Sequence, residues 1–280
     1  MLRTIDDIKL KNIADAIRRK NFKTDSYTVE AMVKAIDDLI VISNEPVWCE
    51  YLKTNGNQWL DFNYLVNEKS EIKITYLVNE FGKQRFCTIL GCTDSPSATT
   101  ANNGCIRLVG QLNRIGFGDS STGNLANITD YNDLNNKYNA ELKNGTAKMT
   151  NLKTGESETV ALDKANNFTS KYTLTICGRN SGKATPDFLM TGNIYSVEVS
   201  EGNTLYNLKP CLHPETLKPA LYDTITKSYH YNQGGGEFGY KRLDTGAVVE
   251  PEAPKAMTLE EPIGNDIEGL EEGSTNVQYV

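Results

Sequence analysis

The chain has 280 residues, 39 % of them hydrophobic, and a net charge of −7. From Glu250 on it carries eight acids and a single base, Lys255, so the body before it is balanced in charge. A balanced body with an acidic end excludes the basic footprint that nucleic acid or an anionic membrane requires, and no apolar run is long enough to span a bilayer.

The start, MLRTIDDIKLKN, is charged and lacks the apolar stretch of a secretory signal. The expectation is a chain folded in a reducing cytosol with its six cysteines as free thiols. Residues 1–41 read as a helix-loop-helix. Leu10, Ile13, Ala14 and Ile17 fall on one face of a helix. RRKNFKTDSYT interrupts the pattern, Thr28 is placed to cap a second helix, and Val29, Met32, Val33 and Ile36 repeat the spacing. Such a unit is too small to be very stable alone, so it should pack on a copy of itself, on the following domain or on a partner.

After Pro46 the period becomes two. EIKITYLV sets Ile72, Ile74, Tyr76 and Val78 against Glu71, Lys73 and Thr75. CIRLVGQL places Ile106 and Leu108 together. KYTLTICG alternates Tyr172, Leu174 and Ile176 with Thr173 and Thr175, and IYSVEVS alternates Tyr195, Val197 and Val199 with Ser196 and Glu198. Turn signals lie between: Asn55-Gly56, Asn103-Gly104, Asn144-Gly145, Thr154-Gly155 and Glu201-Gly202-Asn203. Residues 193–211 thus predict a strand, a turn and its return. Many short strands joined by hairpins predict a mainly β, antiparallel sandwich over residues 46–241. Trp48 and Trp59, beside its first strand, are expected in the core. Residues 242–280, with Pro251, Pro254 and Pro262, many acids and few aromatics, read as an extended tail unable to fold alone.

Three stretches carry a resemblance. EYLKTNGNQWLDFNYLVNEKSEIKITYLV (50–78), YTLTICGRNSGKATPDFLMTGNIYSVEVSEGNTLYNLKPC (172–211) and PALYDTITKSYHYNQGGGEF (219–238) resemble, in order and spacing, the concanavalin-like and laminin-G-like jelly rolls of phage structural proteins and gut bacterial surface proteins. Separately, IADAIRRKNFKTDSYTVEAMVKAI (13–36) is similar to a helical module of phage tail and fibre proteins, with Asn21-Phe22 and Val29 departing from its usual Gly and Pro. Together they imply a phage virion protein of fibre, appendage or capsid-decoration type, assembled in the host cytoplasm. In it, 1–41 and 242–280 would dock to other virion proteins and sister copies while the jelly roll binds host-surface polysaccharide. The alternatives are a structural connector without ligand and, further off, a glycan-cleaving enzyme. A bacterial surface lectin is disfavoured by the lack of an export signal.

Catalysis finds little support. The Glu-x-Asp-x-x-Glu spacing of glycan-cleaving relatives is missing, and Glu156, Glu158, Glu198 and Glu201 read as solvated hairpin carboxylates. GRNSGKAT (178–185) has the wrong glycine spacing for a phosphate loop, and Ala184 stands where a magnesium-binding hydroxyl is needed. Cys87, Cys92 and Cys105 lack a zinc-site spacing, and His213 and His230 have no triad partners by sequence. Binding is the better prospect, in the polar loops CTDSPSATTANNGC (92–105) and FGDSSTGNLANITDYNDLNNKYN (117–139). Their candidates are Asp94, Asn102, Asn103, Asp119, Asp130, Tyr131, Asp133 and Tyr138, amides and carboxylates with aromatic faces of the kind sugars require. A calcium ion is the cation that Asp94, Asp119, Asp130 or Asp133 would hold; no other cofactor is expected.

Overall fold

The computed structural model describes residues 45–80, 86–93, 104–109, 112–118, 125–128, 133–164 and 166–252. The helix-loop-helix expected over 1–41 and most of the expected tail lie outside them. Among the described residues the regular elements are strands. They are β1 (Val47–Asn55), β2 (Leu60–Asp61), β3 (Glu71–Glu80), β4 (Phe86–Cys92), β5 (Gly104–Val109), β6 (Leu112–Phe117), β7 (Leu125–Ile128), β8 (Lys137–Lys143) and β9 (Thr146–Asn151). Then come β10 (Ser157–Ala161), β11 (Thr175–Ile176), β12 (Thr191–Glu201), β13 (Asn203–Leu212), β14 (Pro219–Asp223), β15 (Ser228–Tyr231), β16 (Gly239–Arg242) and β17 (Val248–Val249).

These strands form two antiparallel sheets. The larger runs β10-β9-β8-β3-β12-β1-β13-β14-β15, with β16 on β1 and β17 on β16; the smaller runs β2-β11-β4-β5-β6-β7. The predicted alternation closes the core between them. Along β3, Ile72, Ile74, Tyr76 and Val78 are buried while Glu71 and Lys73 are exposed. One hydrophobic cluster joins these and Leu52, Ile194, Val197 and Val199 of the larger sheet to Leu60, Ile89, Leu90, Ile115 and Ile176 of the smaller. At about 1.5–3 kcal/mol per fully buried aliphatic side chain, this interior dominates the stability. Residues 193–211 form the predicted hairpin: β12 and β13 pair from Val197↔Leu208 to Glu201↔Asn203 around Gly202.

The structure corrects the sequence reading at four places. KYTLTICG is not a long alternating strand. β11 has two residues, Leu174, Thr175, Ile176 and Cys177 are all buried, and Cys177 ends the pairing with a left-handed φ of 65°. In IYSVEVS the pairing with β3 shifts register between Ile194 and Ser196, leaving Tyr195 as an additional residue. Ile194 therefore joins Val197 and Val199 in the core, and Tyr195 stays half-buried on the outer face. A second shift, between Cys49 and Tyr51 opposite β16, leaves Glu50 additional on β1. It turns Trp48 outward, against Tyr222 at 5.9 Å between ring centroids, whereas Trp59 packs on the core as expected. Lastly, Glu201 is not simply solvated, because it accepts from the Tyr64 hydroxyl at 2.9 Å and the Asn67 amide at 2.7 Å.

Pairing also continues past residue 241. β17 pairs with β16, and the Glu252 N–H donates to the Glu237 carbonyl at 3.1 Å. Leu243, Val248 and Val249 are exposed here, so backbone hydrogen bonds rather than apolar burial hold this stretch. Composition reports burial and is blind to such pairing.

The residues that carry the family resemblance act as latches. Gln58 is fully buried. Its Nε2 donates to the carbonyls of Gly235 and Glu252, and its Oε1 accepts from the Asn55 N–H at 3.0 Å. Asn232 Oδ1 accepts from the Trp59 and Gly234 amides, and Nδ2 donates to the Gly236 carbonyl. Gly234 lies so close to the first-strand loop that a Cβ there would stand 2.0 Å from the Asn57 carbonyl oxygen. Asp223, fully buried, shapes the β14–β15 turn by accepting from the amides of Asn207, Ile225 and Thr226 and from the Thr226 hydroxyl. Burial opposes its charge, but these hydrogen bonds prevail and hold its carboxyl below the usual range.

Gly234→Ala should lower stability by roughly 3 kcal/mol, read by chemical denaturation, because backbone would have to move to admit the methyl. Asp223→Asn should cost about 2 kcal/mol at neutral pH. Asp223 has a depressed folded-state pKa, so its contribution is present above the unfolded value and lost as pH falls through the folded one. The gap between wild type and Asp223→Asn should therefore narrow below about pH 4.

Candidate functional site

Strand register builds one composite surface on the outer face of the larger sheet. Lys137 of β8 lies opposite Leu77 of β3, Leu77 opposite Asn193 of β12, and Asn193 opposite Lys53 of β1. On one side of this row stand Tyr195 and Tyr51, edge to face at 5.7 Å, with Lys137 Nζ 3.7 Å from the Tyr195 ring centroid. On the other side opens a cleft of about 470 Å³ lined by Lys53, Thr54, Asn55, Asn79, Glu80, Thr191, Glu250 and Pro251. Lys53 Nζ and Glu250 Oε2 form an ion pair of 2.6 Å across it.

Two amide oxygens here, Asn79 Oδ1 and Asn193 Oδ1, are shut off from solvent and accept no hydrogen bond. A buried acceptor left unmet costs free energy, which the surrounding sheet supplies. The amide nitrogens are already used: Asn79 Nδ2 donates to Asn135 Oδ1 at 3.0 Å, and Asn193 Nδ2 to the Tyr195 hydroxyl at 3.4 Å. Burial, only partly offset by that bond from Asn193, raises the Tyr195 pKa and keeps the phenol protonated. The surface therefore presents two lysines, Lys53 and Lys137, two carboxylates, Glu80 and Glu250, and two phenol rings. All except Glu250 sit on strands in the body of the sheet, which is firmer support than a loop provides.

Of the residues expected to bind, Asp94, Asn102, Asn103, Asp119, Asp130 and Tyr131 lie outside the described residues. Asp133 is exposed; its Oδ2 accepts from the Asn136 amide at 3.2 Å. It sits on the loop whose Asn135 accepts from the Asn79 amide. Tyr138 is a correction. Its ring is in the core beside Tyr76, and only its hydroxyl reaches the loop, accepting from the Asp133 N–H at 3.2 Å. Alternation assigns it inward, because its neighbours Lys137 and Asn139 take the outer face. No group of three or more His, Cys, Asp or Glu able to hold a metal ion occurs among the described residues.

Tyr51, Lys53, Asn55, Asn79, Thr191, Asn193, Tyr195 and Glu250 are absent from the sequence-derived candidates. One signal was available: Asn193 is an amide in a run otherwise fit for a buried strand.

Other polar clusters are engaged in hydrogen bonds within the fold. In the GRNSGKAT loop, Asp187 accepts from Arg179 at 3.2 Å, Ser181 at 2.7 Å and Lys183 at 2.9 Å; these bonds overcome burial and depress its pKa. Asp61 ties together Thr173, Asn180 and the Asn63 N–H. Ser228 Oγ meets His230 Nε2 at 3.2 Å, but Asp223 joins this chain through Thr226 rather than through the imidazole, which is not the order of a catalytic triad. Burial pushes the Cys49 and Cys211 thiols up to about 12, so neither is an activated nucleophile.

No family model matches the chain, and no curated protein matches it. Solved structures do. A Bacteroides ovatus protein described as carbohydrate-binding aligns at TM-score 0.46 and 13 % identity over 73 % of this chain and 62 % of its own, so the chain spans less than two thirds of it. Tailspike protein 2 of the Escherichia coli O157:H7 bacteriophage CAB120 aligns at 0.34 and 13 %, over 54 % of this chain and 22 % of its own. Chicken galectin 2 aligns at 0.28 and 12 %, over 52 % and 98 %. All three scores fall below 0.5.

Lys53→Met should change stability by less than about 1 kcal/mol, because the Glu250 side chain is 66 % exposed and such pairs contribute little. A thermal melt within a few degrees of wild type is the expected outcome; a large loss would make the ion pair a structural brace rather than part of an open cleft.

Proposed function

We propose that the chain is a binding protein rather than a catalyst. It would be a phage virion component that displays a concanavalin-like or laminin-G-like jelly roll and receives host-surface polysaccharide on the Tyr51–Asn193–Asn79 row. The observation that carries the reading is the pair of phenol rings, Tyr51 and Tyr195, on the same sheet face as an open cleft lined by lysine, amide, hydroxyl and carboxylate groups. Sugars offer many hydroxyls on an apolar ring face, and this surface supplies polar partners and an aromatic face. In this reading residues 1–41 and the far tail join the particle and sister copies.

A structural role without ligand is the second reading. It is favoured by the fact that Gln58, Asp223, Asn232 and Gly234, all within the family-like stretches, brace the fold instead of facing the cleft.

A glycan array probed with the full chain, followed by titration calorimetry on the best polysaccharide, separates the two. Binding should weaken on the order of tenfold or more in Tyr51→Ala and Tyr195→Ala, since each loses about 1.4 kcal/mol or more of contact energy. Binding unchanged by both substitutions, or no binding to any host-envelope polysaccharide, would leave the structural role. Release of new reducing ends from the polysaccharide would refute the non-catalytic assignment.

A further inference from the structure

At the other end of β1 the same outer face carries a second surface, which is aromatic. Trp48 stands opposite Cys211, Cys211 opposite Ala220, and Ala220 opposite Tyr231. Beside that row Tyr222 stands opposite Tyr229. The rings form one continuous set: Trp48 to Tyr222 at 5.9 Å, Tyr222 to Tyr229 at 4.8 Å, Tyr229 to Tyr231 at 6.1 Å, and His213 on Tyr229 at 4.8 Å. Beneath them Cys211 and Ala220 are fully buried, yet neither belongs to the core shared by the two sheets. Leu243, 61 % exposed, is held against the edge of this set by its N–H bond to the Trp48 carbonyl at 3.1 Å. The Tyr229 hydroxyl is shut off from solvent and has no hydrogen-bond partner. Burial first, then the neighbouring Cys211, Tyr222, Tyr231 and Glu45, push its phenol up to about 12, so it remains a donor.

A contiguous aromatic surface with an unmet donor marks an interaction site. The sandwich itself does not explain it, because the core lies on the opposite face. Its position names the occupant. The chain reaches this spot at Glu45, and 44 residues precede that point. Those residues carry the stripes Leu10-Ile13-Ala14-Ile17 and Val29-Met32-Val33-Ile36, which need an apolar surface to cover them. A tether of a few residues holds such a segment at millimolar effective concentration over the nearest apolar face.

We propose that the amphipathic N-terminal segment, residues 10–36, docks on its own chain's Trp48–Tyr222–Tyr229–Tyr231 face. Docking there sets the angle between the attachment segment and the sandwich, so the displayed cleft has a defined orientation relative to its anchor. The glycan reading is not required for this.

Hydrogen exchange on the full-length chain tests it. Amides within 10–36 should be protected, and Trp48→Ala should abolish that protection while β3 and β12 stay protected as in wild type. The reciprocal double variant Ile13→Asp/Ile17→Asp should lose the same protection and leave the sheets untouched. Protection in 10–36 that survives Trp48→Ala, or that is missing from wild type, overturns the proposal. Protection that falls on dilution also overturns it, since the occupant would then be the segment of a second copy.

Discussion

The rest of the structure depends on strict alternation across a two-sheet core. A strand buries every second residue, so one residue too many reverses the facing of all that precede it. The larger sheet has four such shifts among its described strands, and two of them shape its outer surfaces. Glu50 is additional on β1 and Tyr195 on β12. Each shift keeps the downstream aliphatics, Leu52 on β1 and Val197 and Val199 on β12, in the common cluster. Each also sends an aromatic residue, Trp48 or Tyr195, to the outer face, where an aromatic has no core to fill. Both outer surfaces grow from these displaced rings: Tyr195 beside Tyr51 and the amide row, and Trp48 at the head of the tyrosine set.

A division of labour follows. Residues of the first strand loop and of the last hairpin hold the fold closed. Gln58 reaches the strand end at Glu252 and the loop at Gly235, Asn232 grips Trp59 and its own glycine loop, and Asp223 shapes the last hairpin. Each does so by satisfying buried backbone groups, a requirement imposed by the fold and indifferent to any ligand. Recognition is left to residues outside those latches, on a surface whose scaffold they stiffen. Strand-borne binding groups gain from this, because Asn193 and Lys53 cannot move without breaking sheet pairings on both sides.

Much of the architecture was legible in the sequence because burial and period are the same signal. β3 and the β12–β13 hairpin follow from alternation and from the turn at Gly202, and the Asn144-Gly145 signal marks the turn between β8 and β9. Three things were not legible. A register shift leaves no mark in composition, so Trp48 and Tyr195 read as inward. Backbone pairing without burial leaves none either, so the stretch through β17 read as tail although Glu250 closes the cleft. The cleft residues are single positions on separate strands, which no local run of sequence displays. Pairing brings Lys53 and Asn193 side by side across 140 residues of chain, and the register shift between Thr191 and Gly192 leaves Asn79 additional on β3. Of the loop candidates, Asp133 is exposed, and Tyr138 lies in the core because the alternation of β8 turns it inward.

Hydroxyl-radical footprinting of the intact chain with residue-level mass spectrometry tests the reset of facing most directly. The account predicts oxidation of Tyr51 and Tyr195 while Tyr76, Tyr138 and Ile194 stay unmodified. Protection of Tyr195 equal to that of Tyr76, together with modification of Ile194, would show unbroken alternation along β12 and contradict it.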